Sequence, residues 1–241
     1  MRLDQLLVNL GLAESRARAR VLIEAGAVTL DGVVAVKPAQ AVAPEAAVAV
    51  TADPNPWVSR AALKLAHALE VFGLTPRGVA LDVGASTGGF TEVLLARGAD
   101  RVVALDVGHG QLHPRIAADP RVAALEGVNA RDIPAGLVPP VDWIVADVSF
   151  ISLEKALPAA LALAKPGAVL VALIKPQFEA GPGAAGKGGI VRDPGVHDAV
   201  RTRIRDWLTS LGWQVTGEAP SPIEGGDGNR EFLIAARKPG G

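Results

Sequence analysis

From residue 79 onward, short apolar runs alternate with amphipathic stretches: VALDVG (79–84), a helical stretch from Gly89, RVVALDV (101–107), RVAALEG (121–127), VDWIVADV (141–148), a helical stretch near 153–164, and AVLVALIK (168–175). Strands this uniformly apolar are buried on both faces, and intervening helices supply the crossovers that parallel strands require. The pattern predicts an α/β fold with a mostly parallel sheet. A helix near 196–211 and two closing strands, WQVTGEA (213–219) and EFLIAAR (231–237), predict an antiparallel edge. Open sheets of this kind bind ligands beyond the carboxyl ends of their strands, so residues at strand ends carry most of the functional information.

The first fifty residues follow a different pattern. LDQLLVNLGL places Leu3, Leu6, Leu7 and Leu10 at helical spacing and stops at Gly11, and SRARARVLIEAG predicts a second helix ending at Gly26. VTLDGVVAV alternates around Asp31-Gly32, a strong hairpin signal, and AVAVT (47–51) predicts a further strand. TADPNPW (51–57) is dense in turn residues and reads as a linker. Beyond it SRAALKLAHALEVFG predicts a helix with Ser59 as N-cap. The expected division is a small α+β domain over 1–51, a linker over 52–58 and a large domain over 59–241.

Composition excludes several classes. A chain of 241 residues, 49% hydrophobic, can bury a sizeable core. A formal net charge of -1 excludes a uniformly basic nucleic-acid binder but permits a local basic patch. With no cysteine and four scattered histidines, none in an H-E-x-x-H pair, there is no candidate metal site. ALPAALALAKPGAVLVALI (156–174) is about as long as a membrane span, but Lys165-Pro166-Gly167 interrupts its centre. The N-terminus carries Asp4 and no apolar signal-peptide core, so the expected location is the cytoplasm.

Two strand ends suggest a nucleoside ligand. LDVGASTGGFTEVLL (81–95) leaves a strand at Asp82, turns at Gly84 and enters a helix at Gly88-Gly89. Glycines permit close backbone approach, and helix-start N–H groups suit an anionic carboxylate or phosphate. The dinucleotide pattern G-x-G-x-x-G is absent, since Ser86 stands where its second glycine belongs. Asp106, about twenty residues past this loop, can accept hydrogen bonds from ribose hydroxyls. GPGAAGKGG (181–189) approximates a P-loop, yet Gly188 replaces the Ser or Thr that would bind magnesium. It reads instead as a glycine-rich loop over the sheet edge, a candidate lid.

Charges near strand ends form a second group. Asp147 closes VDWIVADV, Lys175 closes AVLVALIK, Glu231 opens the last strand, and Lys64 sits among leucines in its helix. Inward-facing charges are seldom tolerated unpaired, so these four ask to be read together. In the N-terminal module Arg16, Arg18 and Arg20 share one short helix without forming a single stripe. With Arg2 and Lys37 they compose a candidate phosphate-tracking surface.

Taken in order, RLDQLLVNLGLAESRARARVLIEAGAVTLDG, WVSRAALKL, LDVGASTGGFTEVLL, DVGHGQL, ADVSFISL, IKPQFE and GNREFL resemble the TlyA (haemolysin A-like) family of ribosomal RNA 2′-O-methyltransferases. That family joins an S-four-type RNA-binding domain to an FtsJ-like, Rossmann-type methyltransferase domain. The resemblance implies a K-D-K-E tetrad at Lys64, Asp147, Lys175 and Glu231. It implies S-adenosylmethionine as cofactor, its methionine end held around Gly84, Ser86, Thr87 and Gly88, its ribose by Asp106 and its adenine bordered by Asn129 and Asp132. Asp82 would orient the glycine loop.

Lys175 would act on the attacking ribose oxygen, either as proton acceptor or as a cation favouring alkoxide character. Arg60 and the basic residues of the first module would grip phosphates. Phe150 is a candidate stacking ring, or equally a core phenylalanine, and Trp57 packs either the linker or the core. The implied partner is ribosomal RNA or a ribosomal subunit, with cytidine the target. The chain starts on the first helix and ends soon after the last strand, a short form similar to members acting on large-subunit RNA alone. A monomer without metal or stable membrane association is expected. The competing readings are a membrane-lytic haemolysin, a non-catalytic ribosome-assembly factor, and a methyltransferase for a small molecule or protein.

Overall fold

The computed structural model describes residues 1–43, 45–51, 57–181 and 183–240, apart from the Lys187 side chain. The chain divides into two units, Met1–Pro56 and Trp57–Gly241. Most of the expected linker, residues 52–56, lies outside the described residues.

In the smaller unit, α1 (Leu3–Asn9) and α2 (Arg16–Glu24) pack on β1 (Val28–Leu30), β2 (Val33–Val34) and β3 (Val48–Val50). The strand order is β2-β1-β3, all antiparallel. Asp31 (φ 50°) and Gly32 (φ 81°) both adopt the left-handed backbone that a tight two-residue hairpin requires. The Asp31 carboxylate also accepts from Ala47 N–H at 3.0 Å, tying the turn to the approach of β3. Leu3, Leu6 and Leu7 of α1 meet Ala19, Leu22 and Ile23 of α2 in one core. Ser15 caps α2, its hydroxyl accepting from Arg18 N–H at 3.2 Å.

The larger unit opens with α3 (Ala61–Val71), β4 (Val79–Val83), α4 (Gly89–Ala96), β5 (Arg101–Asp106), α5 (Pro114–Ala117), β6 (Val122–Glu126) and β7 (Val141–Ala146). It continues with α6 (Leu153–Ala156), α7 (Pro158–Ala162), β8 (Ala164–Ile174), α8 (Pro176–Glu179), α9 (Pro194–Ser210), β9 (Gln214–Pro220) and β10 (Phe232–Arg237). The sheet order is β6-β5-β4-β7-β8-β10-β9. The first five strands run parallel, and β10 is antiparallel to both its neighbours, as the apolar pattern predicts.

Period-two alternation decides which helices cover which face. Trp143 and Val145 of β7 join Leu65, Leu69, Phe90 and Leu94 of α3 and α4 on one side. Ile144 and Ala146 join Leu153, Leu157, Ile204 and Leu208 on the other. Strand order reverses between β4 and β7, and the crevice this leaves at their carboxyl ends is where such sheets bind ligands.

Three local expectations are corrected. The single helix expected near 153–164 is two short ones, because Pro158 has no N–H to continue the first and instead opens the second. The strand expected from 168 begins at Ala164, and Lys165-Pro166-Gly167 is absorbed as an irregularity in its pairing with β7. Ser59 does not cap α3: the N-cap position falls on Arg60, which has helical backbone angles and makes no side-chain cap. Among the described residues no helix is long and apolar enough to cross a membrane.

Candidate active site

The site is built where β4, β5, β7 and β8 end. Gly84 follows β4 at φ +84°, and a Cβ there would stand 2.8 Å from the Asp147 carbonyl oxygen. Only glycine lets the two loops close this tightly. The turn then runs through Ser86 (φ 47°) to Gly88, which caps α4. At Gly89 a Cβ would lie 2.2 Å from the Ser59 hydroxyl, so α3 and α4 also touch closely here. Ser59 Oγ is buried with no hydrogen-bond partner, in the wall of a cavity of about 360 Å³ that also meets Arg60, Lys64, Thr87 and Lys175. An unpaired hydroxyl beside a helix N-terminus is chemically suited to an anionic ligand group.

Beneath the loop, Asp82 is wholly buried and accepts from the Thr91 hydroxyl at 2.7 Å, while its other oxygen has no partner. Burial pushes this carboxyl up to about 7, the Thr91 hydroxyl opposing and the charge of Asp147 adding to the rise. Asp106, at the end of β5, accepts from Ser86 N–H at 2.8 Å and from Gly108 N–H at 2.7 Å. Its carboxylate thus links two loops while lining a second cavity of about 500 Å³ with Val107, Asn129, Arg131 and Ile151. Gly84, Ser86, Asp147 and Ser149 belong to both cavities, so the two form one trough. Gly88 and Asp132 line neither: Gly88 is buried under Leu112 and Ile116, and Asp132 is exposed, its N–H on the Asn129 carbonyl.

The charged residues converge at the same mouth. Ile174 pairs with Phe232 at the end of the β8–β10 ladder, which leaves Lys175 and Glu231 facing each other one step beyond. Lys64 arrives from the buried side of α3, with Nζ 2.5 Å from Glu231 Oε2. Lys175 Nζ lies 2.6 Å from Asp147 Oδ1 and donates to Ser149 Oγ at 2.9 Å. The Lys175–Asp147 contact is a close ion pair, but the donor is not aligned on Oδ1 as in a hydrogen bond. Lys64, Lys175 and Glu231 are all less than a tenth exposed. Burial raises the Glu231 carboxyl, while Lys64 and then Lys175 pull it back. Two lysines and two carboxylates thus make a compensated, nearly dry cluster, which unpaired charges could not.

The wall opposite the glycine loop comes from residues 221–229. Ile223, Glu224 and Gly226 line the first cavity. Buried Asn229 holds this segment to the glycine-rich one, accepting from Val191 N–H at 2.9 Å and donating to the Gly189 carbonyl at 3.1 Å. Phe150 is no core residue. It is 90% exposed at φ +65°, its ring 5.0 Å from that of Phe178.

In the smaller unit the basic residues are organised by an acid that sequence reasoning passed over. Asp4 is covered from solvent and accepts from Arg2 Nε and Nη2 at 3.0 and 2.9 Å and from Arg16 Nη2 at 3.3 Å. The hydrogen bonds from Arg2 are the main reason its carboxyl is held down at about 2. Arg18 is half-buried, Arg20 pairs with Glu24 at 3.6 Å, and Lys37 is exposed. Ser149 and Asn229 were also missed, and Ser59 was read only as a helix cap. A serine or asparagine in a loop has no periodicity to betray it, and each lay inside a motif read for its charged or glycine neighbours.

A mostly parallel sheet with a glycine-turned crevice, an aspartate at the end of β5 and a nearly dry Lys/Asp/Lys/Glu cluster is the frame of a Rossmann-type methyltransferase. Residues 57–238 match the FtsJ-like methyltransferase family, and residues 1–48 match the S4 domain. The chain is 48% identical over 239 residues to the 16S/23S rRNA (cytidine-2′-O)-methyltransferase TlyA of Mycobacterium tuberculosis, covering 98% of this chain and 89% of that one. It is 40% identical over 238 residues to Hemolysin A of Brachyspira hyodysenteriae, covering 97% and 98%. A solved structure bearing the name hemolysin, from Streptococcus thermophilus, superposes with a TM-score of 0.74 at 38% identity, covering 99% of this chain and 88% of that one. The chain belongs to the TlyA family of S4-linked, FtsJ-like methyltransferases.

Proposed function

We propose that this protein methylates a ribose 2′-hydroxyl of a cytidine in ribosomal RNA, using S-adenosylmethionine, with large-subunit RNA the first substrate to test. The observation that carries the reading is the pairing of Lys175 with Asp147 and of Lys64 with Glu231 at the mouth of the crevice. The name of the M. tuberculosis relative supplies the substrate class.

The residues present fit the cofactor. The orphaned Ser59 hydroxyl and the backbone of Gly84 to Thr87 suit its methionine carboxylate, and Asp106 suits ribose hydroxyls while Asn129 borders the base. When bound, S-adenosylmethionine supplies an electrophilic methyl group on a positively charged sulfur. A ribose hydroxyl is a poor nucleophile, and Lys175 improves it in one of two ways. An ammonium places an N–H on the oxygen and stabilises its alkoxide character, whereas an amine accepts the hydroxyl proton. Asp147 holds Nζ in place for either, and Lys64–Glu231 closes the other side of the mouth. Much of the acceleration comes from fixing two reactants in line. Phe150 offers a solvent-facing ring for an unstacked base.

The test is incubation with labelled S-adenosylmethionine and ribosomal subunits, naked rRNA or lipid vesicles. Label in a ribose 2′-position supports the reading. Vesicle leakage without RNA methylation would favour the membrane activity suggested by the name of the Brachyspira relative.

A further inference from the structure

We propose that Ser149 is a positioning residue for Lys175 in methyl transfer, an inference that rests on the reading of the site above. Nitrogen in an amine or ammonium has three places besides its side-chain bond. At Lys175 one is donated to Ser149 Oγ at 2.9 Å, while the Asp147 carboxylate, 2.6 Å from Nζ, is an ion-pair partner without an aligned hydrogen bond. A further position is left for the target oxygen, as an N–H donor in the ammonium or a lone pair in the amine. Ser149 therefore supplies the directional contact that aims the working position; Asp147 alone, an ion-pair partner without an aligned hydrogen bond, would leave Nζ free to swivel.

Two further observations set Ser149 apart from a serine that happens to be near. It lines both cavities of the trough, and so stands where cofactor and target nucleotide would meet. The next residue, Phe150, holds a left-handed backbone (φ +65°) that a non-glycine residue adopts at a cost, and such strain gathers at functional sites. The Ser149 side chain is exposed, so shortening it leaves no core cavity.

The experiment compares the full wild-type chain with Ser149→Ala and Ser149→Thr in rRNA methylation at saturating cofactor. Losing one hydrogen bond to a charged nitrogen should lower kcat by about 10- to 100-fold in Ser149→Ala. Cofactor affinity and the KM for RNA should stay within about twofold, the pattern of a group that acts on the reaction rather than on binding. Ser149→Thr, which keeps the hydroxyl, should recover most of the rate. Wild-type kcat in Ser149→Ala, or a loss confined to KM, overturns the proposal. A wild-type chain that methylates no RNA overturns the reading of the site, and this proposal with it.

Discussion

Lys64 and Glu231 stand 167 residues apart in sequence, yet their side chains meet at 2.5 Å with both almost sealed from water. One comes from the first helix of the larger unit and the other from the threshold of its last strand, so the pair joins the two ends of the methyltransferase fold at the mouth of the crevice. Removing either partner strands a buried charge. Lys64→Ala or Glu231→Ala should each destabilise the protein by about 3 kcal/mol or more, and Lys64→Met/Glu231→Leu should recover much of that loss while remaining inactive. Chemical denaturation monitored by circular dichroism checks the first effect, and a methylation assay the second.

Asp82 predicts an unusual pH response. Its folded-state carboxyl is raised to about 7, above its ordinary value near 4, so the folded protein holds a proton that the unfolded chain releases. The associated stability is fully present below pH 4 and is lost as pH rises through 7. Glu179 and Glu231, both raised chiefly by burial, act in the same sense. Asp82→Asn keeps an acceptor for the Thr91 hydroxyl and removes the titration. Its melting temperature should therefore exceed that of the wild type at pH 8, and the gap should close or reverse at pH 5. Equal gaps at both pH values would contradict the assignment.

Asp106 serves the glycine loop and the cavity together. Asp106→Ala should weaken S-adenosylmethionine binding by about 10- to 100-fold through lost charge-assisted hydrogen bonds, with little change in global stability. Isothermal titration calorimetry reads the affinity directly, and an unchanged Kd would remove Asp106 from the cofactor site.

Phe150 tests the RNA side. At 90% exposure its ring contributes little to the core, so Phe150→Ala should leave the melting temperature within about 2 °C of the wild type. If an unstacked base rests on it, kcat/KM for RNA should fall by about tenfold or more, with cofactor affinity unaffected. Phe150→Trp should retain activity.

The sheet was legible because its strands are too apolar to be anything but buried, and because helices separate them. Lys175 and Asp147 could be placed at one crevice by topology alone, as both end parallel strands. The Lys64–Glu231 contact could not: no local pattern relates a helix to a strand so far along the chain, and only the family resemblance joined them. Ser59 was misread since a serine before a helix usually caps it, whereas here the close approach of α3 to α4 draws the hydroxyl inward. Pro158 was visible, but the apolar run around it concealed that the helix restarts there. Asp4 entered only as a charge that argues against a signal peptide, and its role was not legible because its arginine partners come from two separate segments.

The central claim is that Lys175 drives transfer to a ribose 2′-oxygen. The most direct measurement is methylation of ribosomal RNA by wild type and Lys175→Ala with labelled S-adenosylmethionine, mapping label by nuclease digestion and mass spectrometry. The expected result is one 2′-O-methylcytidine made by the wild type and lost in a variant that still folds and still binds cofactor. Methylation at a base position, or undiminished 2′-methylation by Lys175→Ala, would contradict it.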